Sequence, residues 1–398
     1  MLIYKNRNMF LAAALYFKTR LQSDPWLADR TQSAILAVST ITNLTVMLIL
    51  QHLQVRASYP FRINLALLIN TVVFSMLAAS TIILVDVSPA LYLAFLLTTV
   101  ALSAYATGLI QNGAFAFAAG FGRPEYMQAL MAGQGVAGVL PPIAQIVSVL
   151  SVPDSTSAED AAGSGTSAFV YFLTAVAVSL AALLAFVPLA RRHGTIVEGR
   201  VAAQMGDSMA SIDSAEREAR KTTSMRRLFS KLPWLSSALV LCFTMTMFFP
   251  VFTAKIVSVR DPDEQPALLR PAAFVPLAFF IWNLGDLTGR LATALPFSLR
   301  HRPLLLFLIS VARAGMVPMY LLCNIGGRGA VVPSDLFYLG VIQLIFGLSN
   351  GWLGSSCMMA AGEWVDEGER EAAGGFMGLC LVLGLTAGSV LSFTAAGA

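Results

Sequence analysis

The sequence predicts an all-α membrane protein of many spanning helices, and three observations carry that expectation. Hydrophobic residues make up 57% of the 398. Only 12% are charged, against roughly 25% in a soluble domain that must keep its surface in water. The mean hydropathy is +0.72, and the apolar residues fall in blocks of about 20 or more, the length a helix needs to cross roughly 30 Å of hydrocarbon. With so few charges the chain cannot clothe a water-soluble globule, so lipid must be much of its solvent.

The expected spans are 31–54, 61–85, 89–120, 126–151 and 167–190 in the first half, with an incomplete one at 8–22. In the second half they are 232–257, 271–297, 303–324, 334–361 and 371–396. Two stretches stay out of the membrane. Val152 to Ser167 carries Asp154, Glu159 and Asp160 and no basic residue. Arg191 to Lys231 is Ser-rich and dense in arginine, so the positive-inside rule makes it cytosolic and puts the acidic loop outside or in a lumen. Alternation then brings Arg56, Arg62, Arg123, Arg300, Arg302 and Arg370 to the cytosol and leaves the C-terminus on the far side. The organisation read from this pattern is an N-terminal bundle (1–190), a disordered cytosolic linker (191–231) and a C-terminal bundle of five spans (232–398). Two bundles joined by one linker suggest transport between rocking halves.

Composition also excludes classes. The net charge of +4 is split among short loops, which argues against nucleic acid as a partner. Cys242, Cys323, Cys357 and Cys380 lie in or beside apolar blocks without paired spacing, which argues against a disulfide frame or zinc site. The histidines (His52, His193, His301) sit near span ends or in loops. No nucleophile–base pair or metal cluster emerges, so neither an enzyme nor a cofactor is expected. Gly133-Gln-Gly135-Val-Ala-Gly138 fits the dinucleotide fingerprint, but it lies inside an apolar helix rather than between a strand and a helix. It reads instead as small residues at a close helix contact, as do Gly285/Gly289, Gly374/Gly378 and Gly384/Gly388.

Polar groups inside spans are expensive and mark function by default. Asn283, Asp286 and Arg290 are spaced by three and four, so they share one helix face. A carboxylate beside a guanidinium offers both acceptors and forked donors, which suits a sugar with adjacent hydroxyls. A structural ion pair locking two helices fits the same residues. Arg313, deep in the next span, reads as an interhelical or gate salt bridge. Gln111 and Asn112 supply buried amides able to read the edge of a heterocyclic base, or to join helices at about 1 kcal/mol.

Several stretches match one family in order and spacing: QNGAFAFAAGFGRPEYMQALMAGQGVAG from Gln111, WNLGDLTGR from Trp282, Arg313, SNGWLGSSCM from Ser349, and the closing EAAGGFMGLCLVLGLTAGSVLSF. Over nearly its whole length the chain resembles the equilibrative nucleoside transporters (solute carrier family 29 type). The resemblance implies a two-bundle (6+5) major-facilitator-like transporter with a cytosolic N-terminus, in the plasma membrane or a vacuolar or lysosomal membrane. It implies a nucleoside substrate, with Gln111 reading the base, Asp286 and Arg290 engaging ribose, and Asn283 one turn before them. Gly133 matches a glycine tied to transport and inhibitor sensitivity, while Arg313 and Asn350 match gating or structural positions. One departure stands out. Tyr4-Lys5-Asn6-Arg7 replaces an apolar half-helix and a Pro-Trp pair before Asn8, so the first span is expected to be truncated, with Leu11 its surviving cavity residue. The expected mechanism is facilitative alternating access. A coupled proton is the other driving force, with Asp286 its obvious carrier, although Arg290 one turn away favours the charged form. The alternatives are a transporter of nucleobase or another small polar solute, or a transport-dead membrane regulator.

Overall fold

The computed structural model describes residues 14–53, 58–151, 165–204, 224–261, 265–296 and 298–396. Among them ten helical stretches are long and apolar enough to cross a membrane, within a few residues of the expected bounds. The first half holds α1 (Ala14–Arg20), α2 (Pro25–His52), α3 (Tyr59–Ile83), α4 (Pro89–Gly120), α5 (Pro124–Ser151) and α6 (Gly165–Gln204). After α7 (Met225–Lys231) come α8 (Pro233–Thr246) and its continuation α9 (Phe248–Thr253), then α10 (Pro271–Ala292). The series continues with α11 (Pro303–Arg313), α12 (Met316–Met319), a π-helical stretch Phe337–Leu344 running into α13 (Ile345–Ala361), and α14 (Arg370–Ala396).

Proline sets many of the starts. Pro25, Pro60, Pro89, Pro233, Pro271 and Pro303 occupy first turns, where the missing N–H has no helical partner to lose. Asp24 adds a side-chain cap to α2, its Oδ1 accepting from the Leu27 amide at 3.2 Å. Large apolar side chains such as Phe61, Leu91, Leu184 and Val390 stand on the outer surface. In water such a belt would aggregate; in lipid it is the solvated face.

Two helix groups result. In the first, α3 packs on α4 and α6, and α2 on α4; in the second, α10 packs on α13, and α8 on α11, α13 and α14. Across the groups α5 lies along α10, while α14 lies along α4 and α2. The glycine stripes make these approaches possible. A Cβ on Gly374 or Gly378 would strike Phe115 of α4, and one on Gly384 or Gly388 would strike the backbone of α8 at Val240 or Thr244. Gly135 and Gly138, from the rejected dinucleotide motif, face α10 in the same way.

The two ends of the 191–231 segment are helical where disorder was expected. Helix α6 continues to Gln204 and α7 begins at Met225; residues 205–223 lie outside the described residues. Charge density suggested a solvated coil, but after Pro188 the sequence remains free of proline and rich in helix formers up to Gln204. Helix α7 is capped by Ser224, whose hydroxyl oxygen accepts from the Arg227 amide at 3.2 Å. It is then clasped to the turn before α14. Arg227 Nε lies 2.7 Å from Glu369 Oε1, and Lys231 Nζ lies 2.5 Å from Glu369 Oε2 and 2.6 Å from Asp366 Oδ2. Lys231 holds the Asp366 carboxyl below its usual range, and Asp366 and then Glu369 raise the Lys231 ammonium. The clasp is therefore complete near neutrality. It weakens as pH falls through the lowered Asp366 value, or as pH rises through the raised Lys231 value. Glu369 is buried between two cations, so Glu369→Gln is expected to cost about 2 kcal/mol. A lower unfolding temperature of the detergent-solubilised protein would register it.

Candidate solute-binding site

Asp286 and Asn350 are brought together by four glycines. Along the α10–α13 contact, a Cβ on Gly285 or Gly289 would meet the carbonyl of Leu344 or Leu348. From the other side, a Cβ on Gly347 or Gly351 would meet the carbonyl of Trp282 or Asp286. With no side chain between them the two backbones touch, and Asp286, Arg290 and Asn350, each beside one of these glycines, come within hydrogen-bond reach. Asn350 Nδ2 donates to Asp286 Oδ1 at 2.7 Å, and Arg290 Nε donates to Asp286 Oδ2 at 2.7 Å. The carboxylate accepts only, so the Asn350 amide must turn its nitrogen to it. Its oxygen then accepts from the Thr246 hydroxyl at 2.6 Å. Arg290 also reaches the other helix group, where Nη1 donates to the Met131 carbonyl at 2.9 Å and to Gln134 Oε1 at 3.2 Å.

These groups form one end of a cavity of about 480 Å³ between α5, α8–α9, α10 and α13. That volume falls in the range of small-molecule pockets, which run from about 300 to 1,000 Å³. The cavity extends along α10 from Arg290 and Asp286 toward Val275, away from the end that carries Arg300 and Arg302. Its far part is aromatic: Phe249 stacks on Trp282 (centroids 4.2 Å, planes 9° apart), and Phe279 meets Phe249 edge-on at 4.9 Å. On α5 the lining residues Gln134, Gly138, Pro141 and Gln145 recur every three or four positions, one stripe of a single helix. Polar groups at one end and aromatic surface at the other suit a solute with a hydroxyl-rich part and a flat heterocyclic part.

The expected residues divide. Asp286, Arg290, Asn283 and Asn350 line the cavity together. Asn283 Nδ2 donates to the Phe279 carbonyl at 2.8 Å, and its Oδ1 lies against Gly138 of the other group. Gln111 is buried but outside the cavity lining, with Asn43 Nδ2 donating to its Oε1 at 3.2 Å. Gly133 sits one position off the α5 stripe and also misses the lining. Leu11 lies outside the described residues. Arg313 differs from the expected salt bridge: among the described residues its hydrogen bonds go to no carboxylate. It donates to the carbonyls of Cys242 (2.7 Å) and Phe346 (3.2 Å) and to Ser349 Oγ (3.0 Å), and its guanidinium stands 4.2 Å over the Phe346 ring. Backbone acceptors and a ring face take the place of an ion pair and tie α11 to α8 and α13. Sequence reasoning missed Gln134, Gln145, Thr246 and the aromatic wall. For Gln134 the signal was present, an amide within an apolar span, but it was absorbed into the glycine motif around it.

Residues 97–396 match the family model described as nucleoside transporter. This chain belongs to the nucleoside transporter family. Among the relatives it resembles is the nucleoside transporter FUN26 of Saccharomyces cerevisiae, 28% identical over 97% of this chain and 80% of the relative. The human equilibrative nucleoside transporter 2 is 26% identical over 97% of this chain and 92% of that one. Solved structures share the fold. The proton:xylose symporter XylE covers 99% of this chain and 88% of its own at 14% identity, with a TM-score of 0.60. The E. coli fucose:proton symporter FucP gives 0.52 at 14% identity. The yeast and human relatives are transporters by name, in keeping with a chain that is not an enzyme.

Proposed function

We propose that this chain carries nucleosides across its membrane by facilitative alternating access, with the ribose held at Asp286, Arg290 and Asn350. The observation that carries the reading is the polar end of the cavity. Asp286 is arranged as an acceptor fixed by two donors, Arg290 and Asn350, and opens onto a volume that an aromatic wall completes. A ribose hydroxyl donates to such a carboxylate, and the base lies against Phe249, Trp282 and Phe279. Gln111 reads the base only in a state whose cavity reaches α4; in the state described here that edge of the solute meets the α5 stripe instead.

The two helix groups rock against each other in this reading, with α5 sliding on α10 and α14 on α4. The face bearing Arg227, Lys231, Arg300, Arg302 and Arg370 is assigned to the cytosol, which makes this the outward-facing or lumen-facing state and leaves the C-terminus outside. The solute gradient drives flux. Both Asp286 oxygens already accept hydrogen bonds, from Arg290 Nε and Asn350 Nδ2, and in this reading the carboxylate serves the solute.

Uptake of labelled adenosine and uridine by cells lacking their own nucleoside transporters tests the proposal. Saturable uptake, competed by excess unlabelled nucleoside, is expected. Uptake indifferent to excess nucleoside but competed by free base or sugar would replace the substrate class.

A further inference from the structure

Gln134 has a buried amide with only one half engaged. Its side chain is 3% exposed, and it lines the same cavity as Asp286 and Asn350. Its Oε1 accepts from Arg290 Nη1 at 3.2 Å, while its Nε2 is buried without a hydrogen-bond partner among the described residues. Arginine offers donors only, so the contact fixes the amide orientation: oxygen toward the guanidinium, –NH2 away from it. A second guanidinium bond, to the Met131 carbonyl one turn earlier on the same helix, holds Arg290 in place and with it the amide. A buried donor left without an acceptor among the described residues is free to take one from a solute in the cavity.

Resting on the nucleoside reading above, we propose that Gln134 is a specificity-determining residue that donates from Nε2 to the oxygen of a ribose hydroxyl that itself donates to Asp286. A hydroxyl both donates and accepts, and the cavity end supplies the two matching functions. Asp286 accepts a hydrogen bond from the hydroxyl, and Gln134 donates one to its oxygen. Arg290 bonds to both residues, so it sets their spacing. A hydrogen atom in place of that hydroxyl would leave the Gln134 donor unmatched as well as the carboxylate, and such a site rejects a deoxy analogue more strongly than one hydrogen bond would. The amide also joins α5 of one helix group to α10 of the other, so the pair that reads the sugar spans the interface that must open during transport.

The test is a comparison of transport KM for adenosine, 2′-deoxyadenosine and 3′-deoxyadenosine in wild type, Gln134→Glu and Gln134→Met. Glutamate keeps an acceptor for Arg290 and loses the donor; methionine loses both and keeps the volume. Each KM ratio is taken within one variant, so differences in expression cancel, and either variant alone suffices if the other fails to reach the membrane. Adenosine KM is expected to rise about tenfold in the variants. The penalty for removing one hydroxyl, 2′ or 3′, is expected to shrink by a similar factor while the other is retained. An unchanged penalty at both positions, with only Vmax altered, would overturn the proposal and leave Gln134 as a strut between helix groups. If wild type moves none of the three, the nucleoside reading fails first and this inference with it.

Discussion

Asp286→Ala is expected to abolish saturable nucleoside uptake while the protein still reaches the membrane in reduced amount. Two effects combine. The carboxylate is the acceptor for Arg290 Nε and Asn350 Nδ2 at 2.7 Å each, so its removal leaves a buried guanidinium without its counter-charge. Breaking one partner of a buried ion pair costs about 3–5 kcal/mol. The remaining bonds of Arg290 to Met131 and Gln134 offset part of that loss. The ligand also loses its charged acceptor, worth about 2–3 kcal/mol, or roughly 30- to 150-fold in uptake efficiency. Asp286→Asn is the sharper probe because it keeps the shape. Its oxygen can still accept from Arg290 Nε while its –NH2 meets a turned-over Asn350, whose own –NH2 donates to the Thr246 hydroxyl as that hydroxyl donates to the Cys242 carbonyl. What the isosteric change removes is the charge, so a large loss of uptake is expected from it too, read as uptake per molecule at the surface. Uptake at more than half the wild-type level in Asp286→Asn would remove the carboxylate from the site.

Gly351→Ala is expected to be nearly as damaging without touching a polar group. The added Cβ would overlap the Asp286 carbonyl, and the obstacle is backbone rather than the movable end of a side chain. Helices α10 and α13 must separate, and the Asn350–Asp286 bond must lengthen with them. Overpacking costs about 1–3 kcal/mol where side chains can yield, so a value at or above about 3 kcal/mol is expected here, together with loss of uptake. Gly362→Ala serves as the control. It has open space around its Cβ position, and it should stay within about 0.5 kcal/mol of wild type. Equal Tm values for the two variants would show that the close approach is not needed.

How much of this could be read from the chain depends on how local each feature is. Spans were legible because length and apolarity are properties of contiguous sequence. The Asp286–Arg290 pair was legible because i and i+4 share a helix face whatever surrounds them. The glycine stripes were legible as contacts but not as to partner: spacing says that Gly285 and Gly289 lie at a close helix contact, not that they meet the backbone at Leu344 and Leu348, and Gly347 and Gly351 on the facing helix were missed. What stayed hidden was pairing over long separations, such as Asn350 with Asp286 and Arg290 with Gln134. Gln111 and Gln134 look alike in sequence, an amide in an apolar helix. Only the rotation of each helix decides that Gln134 lines the cavity and Gln111 meets Asn43. Arg313 misled for a chemical reason. A guanidinium has five donors, and backbone carbonyls together with a ring face can satisfy it without a carboxylate. The start of the expected linker misled because charge was weighed above helix propensity.

Counterflow in vesicles tests the central claim most directly. Purified protein is reconstituted, the vesicles are loaded with unlabelled uridine, and labelled uridine is added outside with no pH difference. A carrier that rocks around one nucleoside site should draw labelled uridine inward transiently above equilibrium, and Asp286→Asn vesicles should not. No overshoot from the wild-type protein, despite saturable uridine binding to the same preparation, would contradict alternating access and mark the chain as a nucleoside-binding membrane protein that does not transport.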